Sequence, residues 1–330
     1  MAIQICNTRL KELVKLAELE NRFLLSLCVL NFVFCIVAIL GNLLVIRALW
    51  KASMMSTTLK AMFLNLAFSD LAVGLFVQPV HGVIIAVILD NAVSENYDVD
   101  FLCPTFVTMY LSSAYFFTVA SFLSIVTIAV DRLLAVSLHL RYNEFVTTKR
   151  VLIVLVVSWL TSGVIATVYI ALPNYNDIVA VVLELAGLLV TSVAYFRIYK
   201  VARYHQNKIQ SQCQVANDLE TMRVVRAKRS AYNAFFVYAV FLVCYIPNIF
   251  CGVLLVTSEF SMGYITAFYI TIFLIYLNSS VNLLVYCWRY REIREIVKQT
   301  IVKIFRVNTE NITIDLRTGN SRMEIELTHT

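Results

Sequence analysis

The sequence predicts an all-α integral membrane protein: a seven-transmembrane helix bundle with a short amphipathic helix after the last span. Three observations predict it. First, the 330 residues are 60% hydrophobic and only 15% charged, with a mean hydropathy of +0.78; a soluble domain carries about 25% charged residues. Second, seven stretches hold the roughly 20 mostly apolar residues that a crossing helix needs. They run approximately 23–49, 60–88, 102–134, 150–172, 178–203, 228–256 and 262–287. Third, basic residues alternate from one inter-span loop to the next.

The elements follow in order. Residues 1–22, "MAIQICNTRLKELVKLAELENR", place Leu10, Leu13, Val14 and Ala17 on one helical face, which predicts a short amphipathic tail outside the membrane. No signal-peptide pattern precedes span 1, which is expected to serve as the targeting signal. Five of the seven spans of the bundle, 23–287, have charge-free cores; the other two hold one acid each, Asp70 and Glu184. With eight Gly and four Pro in the chain, long loops are scarce. Residues 288–305 carry Trp288, Ile293, Ile296 and Val297 on one face with Arg and Glu opposite, the pattern of a helix lying in the membrane interface. Residues 306–330 read as a disordered tail.

Loop charge predicts the orientation. The loops after spans 1, 3 and 5 hold 15 basic residues, and those after spans 2, 4 and 6 hold none. The positive-inside rule makes the first set cytoplasmic. The N-terminus is then extracellular, and the C-terminus and its basic tail are cytoplasmic. The four basic residues of the N-terminal tail, Arg9, Lys11, Lys15 and Arg22, oppose this weakly.

An ionisable group at mid-bilayer costs roughly 2.5–3.5 kcal/mol and faces the bundle interior. Asp70, in "LNLAFSDLAVG", is such a group. Small oxygen-bearing side chains in other spans can converge on it: Asn42, Ser121, Asn278, Ser279 and Asn282. A carboxylate with several such oxygens suits a hard cation such as sodium; it also suits a hydrogen-bonded packing acid. Glu184 either faces a pocket or pairs with a neighbour. The eight Cys show no CxxC or metal spacing and read mostly as small buried hydrophobes. An enzyme is not expected, because the four His (His81, His139, His205 and His329) are dispersed. No resident cofactor other than an allosteric sodium ion is expected, and no nucleic-acid partner. Asp131 and Arg132, in "TIAVDRLLAV", end a run without charge from Phe101 to Val130. By itself the pair reads as an interfacial anchor.

Together these motifs resemble the rhodopsin-like (class A) G-protein-coupled receptors over residues 23–305. Gly41–Asn42 matches the first-helix signature and "LAFSD", ending at Asp70, the second. "DRL" at 131–133 matches the Asp-Arg-Tyr motif, and Trp159 the tryptophan of span 4. "YFRIYKVAR" from Tyr195 matches the inner end of span 5. "FLVCYIP", with Phe241, Tyr245 and Pro247, matches the Cys-Trp-x-Pro region. "NSSVNLLVY", with Asn282 and Tyr286, matches the Asn-Pro-x-x-Tyr region. The resemblance implies that Asp131 restrains Arg132 at rest. On activation span 6 swings outward and Arg132 meets a heterotrimeric G protein, with Tyr195 and Tyr286 supporting that state. It further implies an extracellular ligand, with arrestin and a receptor kinase as partners at the plasma membrane.

Several positions depart from the family pattern. Tyr245 replaces the span 6 tryptophan, Leu283 the span 7 proline and Leu133 the motif tyrosine. Span 5 has no proline, with Gly187 about where it would be, and Ala227, Lys228 and Arg229 put no acid at the base of span 6. Losing two proline kinks is expected to alter switching and to raise basal activity. The family usually ties the top of span 3 to the second outer loop. Here that loop is "PNYND" at 173–177, without Cys, so Cys103 lacks its usual partner and Cys6 is the remaining outer candidate. The short loop, the missing proline and "RYREIREIV" are similar to the melanocortin and adenosine receptor branch.

The resemblance places ligand candidates one or two turns above the motifs: Tyr110, Tyr115, Thr118, Asn248, Tyr269 and Tyr276, with Phe250 and His81 beside them. Ala114 stands where amine receptors carry an aspartate, which argues against a biogenic amine. Span 7 lacks Lys, which excludes a retinal Schiff base. The ligand is expected to be a peptide or a small molecule. Asp90, Glu95, Asp98, Asp100, Asp177 and Glu259 make the outer loops acidic. They read either as solvated loops or as an attraction for a cationic ligand such as a basic peptide. The alternative class is a transporter or channel using Asp70. Against it, no internal repeat or Gly/Pro-broken mid-membrane helix is evident.

Overall fold

The computed structural model describes residues 2–93, 103, 105–138, 141–172, 176–212, 238–254 and 262–304, except the side chains of 2–9, 92–93, 104–108, 176–177, 202, 205–212 and 262. Every regular element among these residues is helical. In chain order they are α1 (Ala2–Leu19), α2 (Asn21–Lys51), α3 (Thr57–Ala72), a π-helical turn (Val73–Val77), α4 (Gln78–Val93), α5 (Thr105–Leu138), α6 (Tyr142–Phe145), α7 (Thr148–Ala171), α8 (Asn176–Gln212), α9 (Tyr238–Leu254), α10 (Met262–Arg289) and α11 (291–304). Six segments are long and apolar enough to cross a membrane: α2, the α3–α4 pair, α5, α7, α8 and α10. The shorter apolar α9 is span 6 of the bundle. At 1.5 Å per residue the 34 residues of α5 and the 37 of α8 run about 51 and 56 Å. Both outreach the ~30 Å hydrocarbon core.

The bundle is apolar outside and more polar within, as lipid requires. On α2 the buried positions Leu24, Cys28, Asn31, Cys35, Ala38, Asn42, Val45 and Leu49 recur every three or four residues. Val29, Val33, Ile36 and Leu40 face outward. The π-turn of span 2 precedes Pro79, which has no N–H and crowds the carbonyl one turn back. Side chains of α2 take up carbonyls in this stretch: Cys35 Sγ donates to Gly74 O (3.1 Å) and Asn31 Nδ2 to Gln78 O (2.7 Å). Such close approach needs Gly74, where a Cβ would lie 3.2 Å from that of Ala38.

Two features extend the sequence reading. The N-terminal stretch is helical, with the expected apolar face. It forms α1, which packs on α2, α4, α5, α7 and α10 and buries Leu10, Leu13, Leu16 and Ala17. Leu16, fully buried, was not among the expected face residues, while Val14 packs half-buried against the same core. The amphipathic helix after span 7 starts past a break at Tyr290 and runs 291–304, burying Ile293 and Val297 while Trp288 stays exposed. Its Glu292 Oε1 accepts from the Ser53 N–H (2.6 Å) and Oγ (3.2 Å) and from the Met54 N–H (3.2 Å), which ties the loop between α2 and α3 to α11.

Candidate functional site

Three polar constellations lie along the bundle, the inner two sharing Asn282. The outermost is a cavity of about 380 Å³ walled by α4, α5, α7, α8, α9 and α10. Tyr110, Tyr115, Thr118, Asn248, Tyr269 and Tyr276 all line it, joined by His81 and Glu184. Phe250 does not; it is 63% exposed on the outer face of α9. The Tyr110 and Tyr276 hydroxyls share a 2.7 Å hydrogen bond, and the His81 ring stacks on Tyr110 at 5.1 Å. On the span 5–6 side, Thr271 Oγ1 donates to Asn248 Oδ1 (3.0 Å). Asn248 Nδ2 donates to both Glu184 oxygens (3.1 and 3.2 Å). Leu10 and Leu13 of α1 complete the wall. Of the outer acids, Asp90 is exposed, while Glu95, Asp98, Asp100 and Glu259, and the side chain of Asp177, lie outside the described residues.

Below the cavity Phe122, Phe241 and Tyr245 pack together, with ring centroids 4.6–5.6 Å apart. Gly187 is required here: a Cβ on it would sit 2.2 Å from Phe122 Cζ. The residue that stands about where span 5 of the family has a proline therefore makes room for an aromatic ring. Pro247, two residues beyond Tyr245 on α9, is half-buried.

The middle constellation centres on Asp70, which is fully buried. Its Oδ1 accepts from Ser121 Oγ (2.8 Å) and Ser279 Oγ (2.9 Å), and its Oδ2 from Asn282 Nδ2 in a short bond. Ser279 thus takes the place expected of Asn278. The Asn278 Nδ2 atom has no partner among the described residues. Asn42 binds instead to the backbone oxygens of Ala38 and Ser279, both at 2.9 Å, and braces α10 against α2. Beside this cluster Trp159 Nε1 donates to Asn65 Oδ1 (2.8 Å), and Asn65 Nδ2 donates to Ser124 Oγ (2.6 Å). This relay joins spans 2, 3 and 4.

The innermost constellation is a cleft of about 20 Å³ lined by Arg132, Tyr195, Phe241, Asn282, Tyr286 and Arg289. Arg132 Nε donates to Asp131 Oδ2 (3.0 Å), and Nη2 makes a shorter bond to the same oxygen. The other Asp131 oxygen accepts from the Tyr142 hydroxyl (2.7 Å). Partial burial, and then that bond to a carboxylate, push the Tyr142 hydroxyl up to about 12. Tyr195 stacks on Tyr238 at 4.5 Å. Tyr286 packs edge-on to Phe63 at 4.9 Å, its hydroxyl unpartnered among the described residues. Leu133 packs half-buried against the core. Ala227, Lys228 and Arg229 lie outside the described residues.

Cys103 is disulfide-bonded, whereas Cys28, Cys35, Cys244, Cys251 and Cys287 are free thiols. The side chain of the candidate partner Cys6 lies outside the described residues.

The described helices form a bundle with six long apolar spans and a shorter seventh, a polar-lined cavity, a buried acid at its centre and an Asp–Arg pair towards its other end. The profile of the family "7 transmembrane receptor (rhodopsin family)" matches residues 41–179. The chain is 23% identical to melanocortin receptor 3 of Rattus norvegicus, over 81% of this chain and 82% of that one. It is 26% identical to adenosine receptor A2a of Canis lupus familiaris, over 82% and 70% respectively. Against adenosine receptor A2b of Gallus gallus it is 32% identical over a shorter 137 residues, 42% of this chain and 37% of that one. The chain is thus similar to rhodopsin-like, class A G-protein-coupled receptors, by the family profile over residues 41–179 and by these relatives over most of its length.

Proposed function

We propose that the chain sits in the plasma membrane with its N-terminus outside and reports occupancy of the outer cavity to a heterotrimeric G protein. The observation that carries this reading is the pairing of a ligand-sized cavity with a nearly closed inner cleft on one bundle. The volume of the first is within the range of small-molecule sites. The second, at about 20 Å³, admits no helix, and Arg132 is still held by Asp131. That is a resting arrangement. Coupling requires span 6 to move outward, so that Arg132 exchanges its carboxylate for backbone carbonyls of an inserted helix. Arrestin and a receptor kinase would act on the same inner face. The loop charges support the orientation.

Asp70 is the proposed site of an allosteric sodium ion. The fit rests on the donor set: a buried carboxylate with the hydroxyls of Ser121 and Ser279 and the amide of Asn282 at hand. The ion would draw on those oxygens in place of the present hydrogen bonds. Cys6 is the proposed partner of Cys103. The five free thiols are excluded, and Cys213 lies in the third inner loop, on the opposite side of the membrane by the charge rule.

The test is nucleotide exchange in nanodiscs with pooled Gα subunits and a library of peptides, nucleosides and lipids. Exchange above empty nanodiscs that disappears in Arg132→Ala is expected. No exchange with any library member, together with solute flux through liposomes that depends on Asp70, overturns the reading in favour of a transporter or channel.

A further inference from the structure

We propose that the ligand of the outer cavity is a small amphiphile whose cationic nitrogen pairs with Glu184 on span 5, its apolar body held beneath α1. This deepens the receptor reading above and rests on it for the ligand's role, though not for its binding.

The cavity wall is mostly aliphatic and aromatic, and Glu184 is the acid on it. No Lys or Arg is among the lining residues, and no described cation bridges to Glu184. Its polar contacts come through one directed chain. Thr271 Oγ1 shares its one proton between Phe268 O (2.7 Å) and the Asn248 carbonyl (3.0 Å), and the Asn248 amide donates to Glu184. That chain, from span 7 through span 6, leaves the carboxylate as its final acceptor. A carboxylate has about four acceptor sites. One amide nitrogen spread over both oxygens leaves about half of them unused among the described residues. A carboxylate at membrane depth is stable only with a counter-charge or donors. A ligand ammonium supplies both and completes the chain.

The α1 part of the wall constrains the rest of the ligand. Leu10 and Leu13 of α1 form part of the wall, and Leu16 and Ala17 bury the same helix face. A folded peptide large enough to span the bundle would have to displace this helix. A compact molecule need not, and its non-basic part meets hydrocarbon and tyrosine rings. Ala114 places no acid on span 3. The anchoring charge therefore comes from span 5 rather than span 3, which selects a different ligand pose from that of a span 3 aspartate.

The experiment uses the full chain in nanodiscs and three isosteric probes: 4-phenylbutylamine, 4-phenylbutan-1-ol and 4-phenylbutyrate. Affinity is read from the shift in thermal unfolding against probe concentration. The amine is expected to bind about tenfold tighter than the alcohol, as a charge-assisted hydrogen bond provides, and the carboxylate weakest. Glu184→Gln keeps the shape and the contact with Asn248. It should erase the amine's advantage while leaving alcohol binding within about twofold. Equal binding of amine and alcohol to the wild-type chain overturns the proposal, as does a preference for the carboxylate, an advantage that survives in Glu184→Gln, or no binding of any probe. The wild-type comparison stands even if the variant does not fold. Because no G protein is present, failure of coupling and failure of this ligand class give separate results.

Discussion

Replacing Asp70 by Ala and by Asn should have very different consequences. The carboxylate accepts three hydrogen bonds, two at Oδ1 from Ser121 and Ser279 and one at Oδ2 from Asn282, in a site without solvent exposure. Alanine strands all three donors. Each buried donor left unpaired costs about 1–3 kcal/mol. The two serines can turn back to the carbonyl one helical turn earlier, as Ser124 does to Ala120 O at 2.7 Å on the same helix as Ser121. Asn282 has no such recourse. A net loss of about 2–4 kcal/mol follows. For a chain of this size that is a drop of about 4–8 °C in unfolding midpoint. Asparagine keeps the oxygen facing Ser121 and Ser279. Its new amide nitrogen meets Asn282 Nδ2, and a flip of the Asn282 amide turns that clash into a hydrogen bond. The cost should stay near ~1 kcal/mol. Unfolding can be followed with a thiol-reactive dye, since Cys28, Cys35, Cys244 and Cys251 are buried free thiols. Sodium should raise the midpoint of the wild-type chain but not of Asp70→Asn. An Ala variant as stable as wild type, or an Asn variant as damaged as Ala, would refute this account of the site.

Tyr142→Phe removes the hydroxyl that holds Asp131 from below. Loss of a bond to a carboxylate, about 1.5 kcal/mol, should shift the balance toward the active state about tenfold; unchanged ligand-free nucleotide exchange would count against it. Burial by itself raises the Glu292 carboxyl, but the Ser53 and Met54 donors hold it below the ordinary carboxylate range. Its hold on the loop between α2 and α3 is therefore present above about pH 4.5 and is lost as pH falls through the lowered value. Hydrogen exchange at the Ser53 and Met54 amides should accelerate in Glu292→Ala at pH 7, and in the wild-type chain only well into acid. Leu16→Asp places a charge at a fully buried position of α1. Exchange protection should fall across α1 while the spans keep theirs; equal protection in both chains would mean that α1 is not held by its apolar face.

Much of the outer cavity and of the inner cleft was legible because those residues recur at set places relative to motifs. Tyr110, Tyr115, Thr118, Asn248, Tyr269 and Tyr276 come from three spans, and their positions along the helices bring them to one cavity. Other partners carried no such signal. Tyr142 follows Asp131 by eleven residues across a turn, and nothing local marks it as the acid's second donor. Glu292 meets Ser53 across most of the chain. Glu184 stood out as an intramembrane acid, but its chain through Asn248 to Thr271 depends on the rotation of three separate helices. The lone Trp159 was visible as a motif and not as the donor that ties Asn65 to span 4. For α1 the periodic leucines indicated an apolar face, and the free surface outside a membrane offered no clue to what it covers.

Composition and periodicity determined by themselves that this chain lies in a bilayer, how many times it crosses and which loops are basic. Those properties follow from the cost of moving each side chain, one at a time, between water and lipid. Only the tertiary structure decided that Ser279 serves Asp70, that Gly187 yields its space to Phe122 and that α1 lines the outer cavity. Contacts of that kind depend on the relative rotation and depth of whole helices. A shift of about 1 Å in packing changes the partner of a hydrogen bond while leaving the hydropathy pattern of the sequence untouched.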